Sequence, residues 1–176
     1  MNRFALFVLS IFLPLSACAG DVEVAPASPL KVDLSNIVET GFVQPVDGIT
    51  PAGQPDKAAF EVFAANGYKA VVDLRTADEA RGLDEQAVVE GLGMEYVLFP
   101  IDSDGINFKN ARALDEIIGS YDAPVLVHCA SSNRVGALLA LRASLDGADD
   151  DASIEVGKRG GLTRLEGEVR EVLSQK

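Results

Sequence analysis

The fold of this chain is decided by one stretch, Pro124-Val-Leu-Val-His-Cys-Ala-Ser-Ser-Asn-Arg-Val-Gly136. The residues from Val125 to Val127 form a short apolar run rich in β-branched side chains, which is typical of a strand buried on both faces of a parallel sheet. From Arg134 onward the sequence is apolar almost all round, which predicts a buried helix. Cys129 is therefore expected at the end of a strand, and Arg134 at the beginning of a helix.

The turn between Cys129 and Arg134 is predicted to bind an anion. Helix N-termini carry unsatisfied N–H donors and about half a positive charge, and inward-pointing amides of the turn add to them. A thiol at such a place is stabilised as the nucleophilic thiolate, and a guanidinium matches two oxygens of a phosphate. We predict Cys129 as nucleophile and Arg134 as charge clamp; the alternative is an inert thiol. The predicted cradle consists of Ala130, Ser131, Ser132, Asn133 and Arg134.

The pair His128-Cys129 followed by Arg134 resembles the signature of cysteine-based phosphatases. The stretch HCASSNRVGALLALR is similar to the bacterial beta-lactamase hydrolase-like, phosphatase-like family. Gly53-Gln54-Pro55 and the run from Gly67 to Arg75 also resemble sequence motifs of that family, so the resemblance spans roughly residues 40 to 165. The resemblance implies a tyrosine or dual-specificity phosphatase-like hydrolase that acts on phosphate monoesters through a cysteinyl-phosphate, without a cofactor.

Three departures from the phosphatase pattern leave two other functions open. Four residues separate Cys129 from Arg134, where these phosphatases usually have five, and four is the spacing of rhodanese-type sulfurtransferases. Ser132 stands in place of a loop glycine, at a cost of about 1–2 kcal/mol if its φ is positive. Val135 replaces a hydroxyl residue that assists turnover, so we expect slow activity. The alternatives are a sulfurtransferase using a Cys129 persulfide and a non-catalytic module that binds oxyanions.

A phosphatase also needs an acid that protonates the leaving oxygen. Asp102 and Asp104 follow the preceding predicted strand, where the related phosphatases carry their acid. We prefer Asp102 slightly, and the alternative for either residue is a role in a turn or helix cap.

Two further residues are expected to support the site. Because neighbouring side chains on a strand point to opposite faces, His128 should not contact the Cys129 sulfur as a general base. The resemblance implies that His128 orders the loop; the alternative is a core histidine. Arg75 with Glu79 is expected in the pocket wall or as a surface ion pair. One histidine and one free cysteine make no convincing zinc set, so no metal is predicted.

Charge and composition narrow the class of partner. The chain has 176 residues, 48% of them hydrophobic, which suits one domain with a sizeable core. Its 15 basic and 27 acidic residues give a net charge of −12, which argues against nucleic acid as a partner because phosphate contacts need basic patches. The expected partner is a phosphate- or sulfur-bearing substrate, and the oligomeric state is not predicted.

The N-terminal region is predicted to direct export. Residues 1–17 combine a positive start with an apolar run too short to span a bilayer permanently. Leu15-Ser-Ala-Cys18 resembles a bacterial lipobox, so Cys18 is expected to carry lipid and residues 18–35 to form a tether. The expected location is the periplasmic side of a bacterial membrane, with the outer membrane favoured. The alternative is cleavage after Ala19 and a soluble periplasmic protein.

Residues 36–176 are predicted to form an α/β domain of three layers, with a mainly parallel central sheet flanked by helices, as in cysteine phosphatases. Ligands of such sheets bind at the carboxyl ends of the strands, where Cys129, Arg75 and the Asp102 loop are expected. The predicted strands are a short one or a hairpin within 37–53, then 68–74, 95–101 and 125–127. The predicted helices are 57–66, 84–90, 108–121, one from 134, and two in the tail split at 160–161.

Overall fold

The computed structural model describes residues 48–176. Four predicted features lie outside the described residues: the export signal, the lipidation of Cys18, the tether of residues 18–35 and the first part of the 37–53 strand region. Within 48–176, none of the helices combines the length and the apolar character that crossing a bilayer requires.

The centre of the domain is a sheet of four strands in the order β1-β4-β2-β3. All of its pairings are parallel, which confirms the predicted α/β class. The central strand β4 pairs with β1 on one side and with β2 on the other, so that Leu126 lies between Thr50 and Val71. The strands are Ile49–Ala52 (β1), Ala70–Asp73 (β2), Glu95–Leu98 (β3) and Val125–His128 (β4).

In residues 48–176, six α-helices follow the predicted order, and several begin at a side-chain cap. Asp56, Asp84 and Asp149 each accept a hydrogen bond from the backbone N–H three residues later, which satisfies one of the free donors of the first turn. The helices are Lys57–Ala65 (α1), Glu85–Gly91 (α2), Phe108–Gly119 (α3), Asn133–Leu145 (α4), Asp150–Arg159 (α5) and Glu166–Leu173 (α6), with a 3-10 turn at Ser103–Gly105.

The strand side chains divide the core into two halves. One half contains Phe60 and Phe63 of α1, packed on the sheet face that presents Leu126. The other half contains Leu138 of α4 and Ile154 of α5 together with side chains of α3 and α6. Burial of each such side chain stabilises the fold by about 1.5–3 kcal/mol. Helices therefore cover both faces of the sheet, and the three-layer prediction is confirmed.

Helix α4 meets the α5–α6 segment so closely that glycine is required at the contact. A Cβ atom on Gly136 would lie 2.2 Å from the backbone N of Leu162. A Cβ atom on Gly161, whose φ is +96°, would lie 2.5 Å from the Cβ of Ser132. This contact places the loop between α5 and α6 directly against the Cys129–Arg134 loop.

Candidate active site

The Cys129–Arg134 loop lies at the carboxyl edge of the sheet, between the end of β4 and the start of α4. Its first residues are held by the chain that continues from β1. The Cys129 N–H donates to the carbonyl of Ala52 (3.3 Å), and Ser131 forms an isolated antiparallel bridge with Gly53. The loop is therefore attached to the edge strand as well as to its own strand and helix.

Ser132 adopts the left-handed conformation that the loop requires. Its φ of +61° is the one positive φ of a non-glycine residue within 48–176, and such a conformation costs a non-glycine residue about 1–2 kcal/mol. The Ser132 hydroxyl donates to the carbonyl oxygen of Gly160 (2.8 Å), a bond that contributes about 1 kcal/mol. Serine can therefore replace the expected glycine here because the neighbouring loop supplies an acceptor.

Arg134 is held from outside the loop by Glu79. Its Nη1 and Nη2 atoms each donate to one carboxylate oxygen of Glu79, both at 2.6 Å, and Nη1 also donates to the carbonyl oxygen of Ile101 (2.9 Å). The hydrogen bond from Arg134 lowers the pKa of Glu79 to about 2. The bond to Glu79 in turn raises the pKa of Arg134, and the neighbouring Cys129 sulfur adds to this effect. The guanidinium is thus fixed in place beside the thiol.

The bonds to Glu79 leave one edge of the Arg134 guanidinium unused. A guanidinium has five N–H donors in a fixed fork, and the protein occupies those at Nη1 and one at Nη2. Within residues 48–176, no protein oxygen accepts a hydrogen bond from Nε or from the second Nη2 hydrogen of Arg134. These two donors are side by side, so they can bind two oxygens of one oxyanion.

A cavity of about 440 Å³ opens above this loop. Asp102 lines it, whereas Asp104 does not and instead lies near Glu168, whose pKa is raised by burial and by the charge of Asp104. Cys129 is 1% exposed and is not among the lining residues. The cavity is lined by Thr76, Glu79, Asp102, Ala130, Ser131, Asn133, Arg134, Arg164 and Leu165.

A second group of charged side chains lies behind the loop and is fully buried. Arg75 donates to both carboxylate oxygens of Asp73, at 2.8 Å each, and also to Glu85. The Nε2 atom of His128 lies 2.6 Å from the other oxygen of Glu85. The expected pairing of Arg75 with Glu79, in the pocket wall or at the surface, is wrong. Strand alternation turns Asp73 and Arg75 to the α1–α2 side of the sheet instead.

The charges of this buried network are stabilised by each other. Burial alone would raise the pKa of Asp73, but the hydrogen bonds from Arg75 and Tyr96 and the neighbouring His128 together outweigh it and lower the pKa to about 2. Burial and the hydrogen bond donated to Asp73 raise the pKa of Tyr96 to about 12. His128 lies on the α1 side of β4, with the ring of Phe60 edge-on to it, and Cys129 belongs to the core on the other side.

The carboxylates of this network and the His128 ring have the residue types of a metal site. Ligand atoms of Asp73, Glu85 and His128 all lie within 4.8 Å of one another. The guanidinium of Arg75 already supplies the positive charge between the two carboxylates. The three residues therefore fit a salt-bridged support for the loop better than a metal centre.

The sequence predictions did not include the roles of Asp73, Glu85 and Arg164. A signal for Asp73 was present, because an acidic and a basic residue two positions apart in an otherwise apolar strand share one face. Glu85 stands at an ordinary helix start and Arg164 in a tail loop, and neither position carries a local pattern that indicates a site.

The amino-acid sequence is similar to that of curated proteins of known family. A beta-lactamase hydrolase-like protein of Agrobacterium fabrum is 30% identical over 119 residues, which cover 65% of this chain and 28% of the relative. The chain is similar to one segment of the beta-lactamase hydrolase-like proteins. A second such protein, from Xylella fastidiosa, is 34% identical over 100 residues, or 54% of this chain and 23% of the relative. The chain thus spans about a quarter of the length of these curated relatives, and the predicted resemblance is confirmed.

Solved structures agree on the fold. A crystal structure from Neisseria meningitidis superposes with a TM-score of 0.66 at 21% identity, covering 77% of this chain and 98% of that one. TpbA of P. aeruginosa, solved as a cysteine-to-serine variant with phosphotyrosine, has a TM-score of 0.55 at 16% identity, covering 77% and 97%. Kinase associated phosphatase has a TM-score of 0.57 at 14% identity, covering 73% and 88%. The fold is that of the cysteine-based phosphatases. No family model matches the chain.

Proposed function

We propose that this protein is a cysteine-dependent hydrolase of phosphate monoesters. The observation that carries the proposal is the edge of the Arg134 guanidinium that no protein oxygen occupies; Arg134 lines the cavity and neighbours the buried Cys129 sulfur. A phosphoryl group bound by this edge and by the loop amides would have its charge stabilised by donors that are already in position, which is the main source of acceleration in such reactions.

The proposed reaction has two steps. The Cys129 thiolate attacks phosphorus, the bond from phosphorus to the ester oxygen breaks, and Asp102 gives its proton to the leaving oxygen. Water then attacks the cysteinyl-phosphate, with its proton taken up by Asp102, so that inorganic phosphate leaves and the thiolate is restored. Asp102 is preferred to Asp104 as the acid because it lines the cavity.

Two features bear on the rate. The Cys129 side chain is almost completely covered, so its sulfur must become accessible before it can attack phosphorus. Val135 provides no hydroxyl beside Arg134 for the second step. We therefore propose slow turnover, with hydrolysis of the cysteinyl-phosphate as the slower step.

Hydrolysis of p-nitrophenyl phosphate by the full chain tests this proposal. We expect phosphate release by the unaltered protein, unchanged release by Cys18→Ser, and release at the background rate by Cys129→Ser. The two variants remove the two cysteines of the chain in turn, so a non-specific thiol effect would appear in both. Equal hydrolysis by Cys129→Ser and the unaltered protein would contradict the proposal.

A sulfurtransferase is the second candidate, and the observation that favours it is the four-residue loop between Cys129 and Arg134. In this reaction the thiolate attacks the outer sulfur of thiosulfate, whose S–S bond breaks so that sulfite leaves and Cys129 carries a persulfide. Cyanide then attacks the outer sulfur of the persulfide, thiocyanate leaves and the thiolate is restored, so no acid is needed. Thiocyanate formation from thiosulfate and cyanide, lost in Cys129→Ser and not accompanied by phosphate release, would replace the first proposal with this one. If the protein catalyses neither reaction but still binds phosphate, the result would support a non-catalytic module that binds oxyanions.

We also propose that Cys18 carries lipid and anchors the protein at the periplasmic side of a bacterial membrane. The support is the Leu15-Ser-Ala-Cys18 sequence after an apolar leader. In a bacterial host the full chain should be recovered in the membrane fraction, and Cys18→Ser in the soluble fraction. Recovery of both from the soluble fraction would favour simple cleavage of the leader.

A further inference from the structure

Arg164 is the cation of the cavity that the proposed mechanism does not use. It lies in the loop between α5 and α6 and lines the cavity together with Arg134. No hydrogen bond or ion pair joins the Arg164 side chain to another residue within 48–176, whereas Arg134 is paired with Glu79. The guanidinium of Arg164 is therefore available to a ligand.

The backbone at Arg164 is held next to the Cys129–Arg134 loop. The side-chain oxygen of Asn133 accepts hydrogen bonds from the Thr163 N–H (2.8 Å) and the Thr163 hydroxyl (3.2 Å). The Leu165 N–H also reaches this oxygen (3.5 Å). Asn133 is 6% exposed and begins helix α4. One buried amide thus binds the residues on both sides of Arg164, so the backbone that carries the second guanidinium is held against the cradle.

The charges of the cavity lining indicate why a second cation would favour binding of an anion. Glu79 neutralises Arg134, so without Arg164 the charged side chains lining the cavity would sum to −1 while Asp102 is ionised and to zero once Asp102 carries the proton that the proposed first step needs. The whole chain carries −12. An anionic ligand would meet repulsion in such a cavity unless another cation faced it.

The size of the cavity indicates how much of a ligand it holds. Sites for small ligands usually enclose about 300–1,000 Å³, and the cavity of about 440 Å³ falls in this range. It therefore has room for a small molecule as well as for the phosphoryl group that Arg134 would hold.

From these observations we propose that Arg164 binds a second anionic group, a carboxylate or a second phosphate, on a small phosphate ester. This inference rests on the proposed function for its reaction, but the binding that it describes can be measured without turnover. The preferred substrate class is then a phosphate monoester with a further oxyanion, whereas a phosphate ester of a neutral alcohol or phenol would use Arg134 alone.

Matched substrates separate the two binding groups. We expect the full chain to hydrolyse 4-carboxyphenyl phosphate with a kcat/KM about five- to tenfold higher than that of its methyl ester, as a charge-assisted hydrogen bond at a partly exposed site would give. Arg164→Gln should remove this preference through KM, with kcat unchanged, because Arg164 is not assigned to the reacting atoms. Arg159→Gln is the matched control, since Arg159 is exposed and does not line the cavity.

A binding measurement keeps this inference separate from the proposed function. Calorimetry with 4-carboxyphenylphosphonate and phenylphosphonate, which cannot be hydrolysed, should show tighter binding of the carboxylate form to the unaltered protein and to Arg159→Gln only. This pattern without any hydrolysis would support the second anion site and overturn the phosphatase proposal. Hydrolysis with equal affinity for the two phosphonates would do the reverse. If Arg164→Gln weakened both phosphonates equally, Arg164 would serve the phosphoryl group itself, and the inference would fail.

Discussion

Two clusters at the carboxyl edge of the sheet use the same chemical groups for different purposes. Behind the loop, Arg75 lies between Asp73 and Glu85, and all three side chains are 0% exposed. In the cavity wall, Arg134 is paired with Glu79, and their side chains are 17% and 26% exposed. The guanidinium of Arg75 is enclosed by the protein, whereas that of Arg134 keeps one edge free of protein oxygens. If Arg134 binds a phosphoryl group as we propose, burial rather than residue type separates the structural ion pair from the binding one.

The largest effect should come from breaking the buried cluster. Arg75→Gln would leave two carboxylates close together without their cation, and loss of one partner of a buried pair costs about 3–5 kcal/mol. We expect the free energy of unfolding, measured with urea, to fall by this amount. Arg159→Gln should change it by less than about 0.5 kcal/mol. A loss below about 1 kcal/mol for Arg75→Gln would mean that water reaches the cluster and replaces the guanidinium.

The corresponding change in the cavity should affect activity more than stability. Arg134→Lys keeps the positive charge and can still pair with Glu79, but it removes the two side-by-side donors. We expect kcat/KM for p-nitrophenyl phosphate to fall about 10²- to 10³-fold, as for the loss of a preorganised donor to the transition state. The free energy of unfolding should fall by only about 1 kcal/mol. Near-normal activity of the lysine variant would show that charge alone, without the fork, is sufficient.

Acid should weaken both clusters, and the buried one more. The pKa values of Asp73 and Glu79 are each lowered to about 2 in the folded protein. A carboxyl with a lowered pKa stabilises the fold above its unfolded pKa of about 4 and loses this contribution as the pH falls through its folded value. Between pH 4 and pH 2, the unaltered protein should therefore lose about 2 kcal/mol more than Asp73→Asn does.

Between pH 4 and pH 2, the loss of unfolding free energy should differ less between the unaltered protein and Glu79→Gln, because solvent screens the partly exposed Arg134–Glu79 pair. The measurement is the slope of the unfolding free energy against pH, which is independent of the constant cost of each substitution. A larger change of slope for Glu79→Gln than for Asp73→Asn would mean that the partly exposed Arg134–Glu79 pair stabilises the fold more than the buried Arg75–Asp73 pair.

Local pattern was sufficient for most of the fold. Apolar strands alternating with helices predicted the order of elements and the parallel sheet, and the ends of α1, α2 and α3 were predicted within about two residues. The strands were predicted too long, since β2 and β3 each end at four residues. At the carboxyl edge of the sheet, the residues that follow each strand keep an apolar sequence pattern but leave the sheet to form the site. The pattern of apolar residues does not show where the hydrogen bonds between strands end.

The amino-acid sequence by itself determined the strand–loop–helix unit that brings Cys129 and Arg134 together, because that unit depends on neighbouring residues and on the properties of a helix start. Only the tertiary structure decided that Glu79 pairs with Arg134, that Glu85 contacts His128 and that Arg164 faces the cavity. These residues lie tens of positions from the residues they meet. Their contacts depend on the strand order and on the close approach of α4 to the α5–α6 segment, which no local pattern encodes.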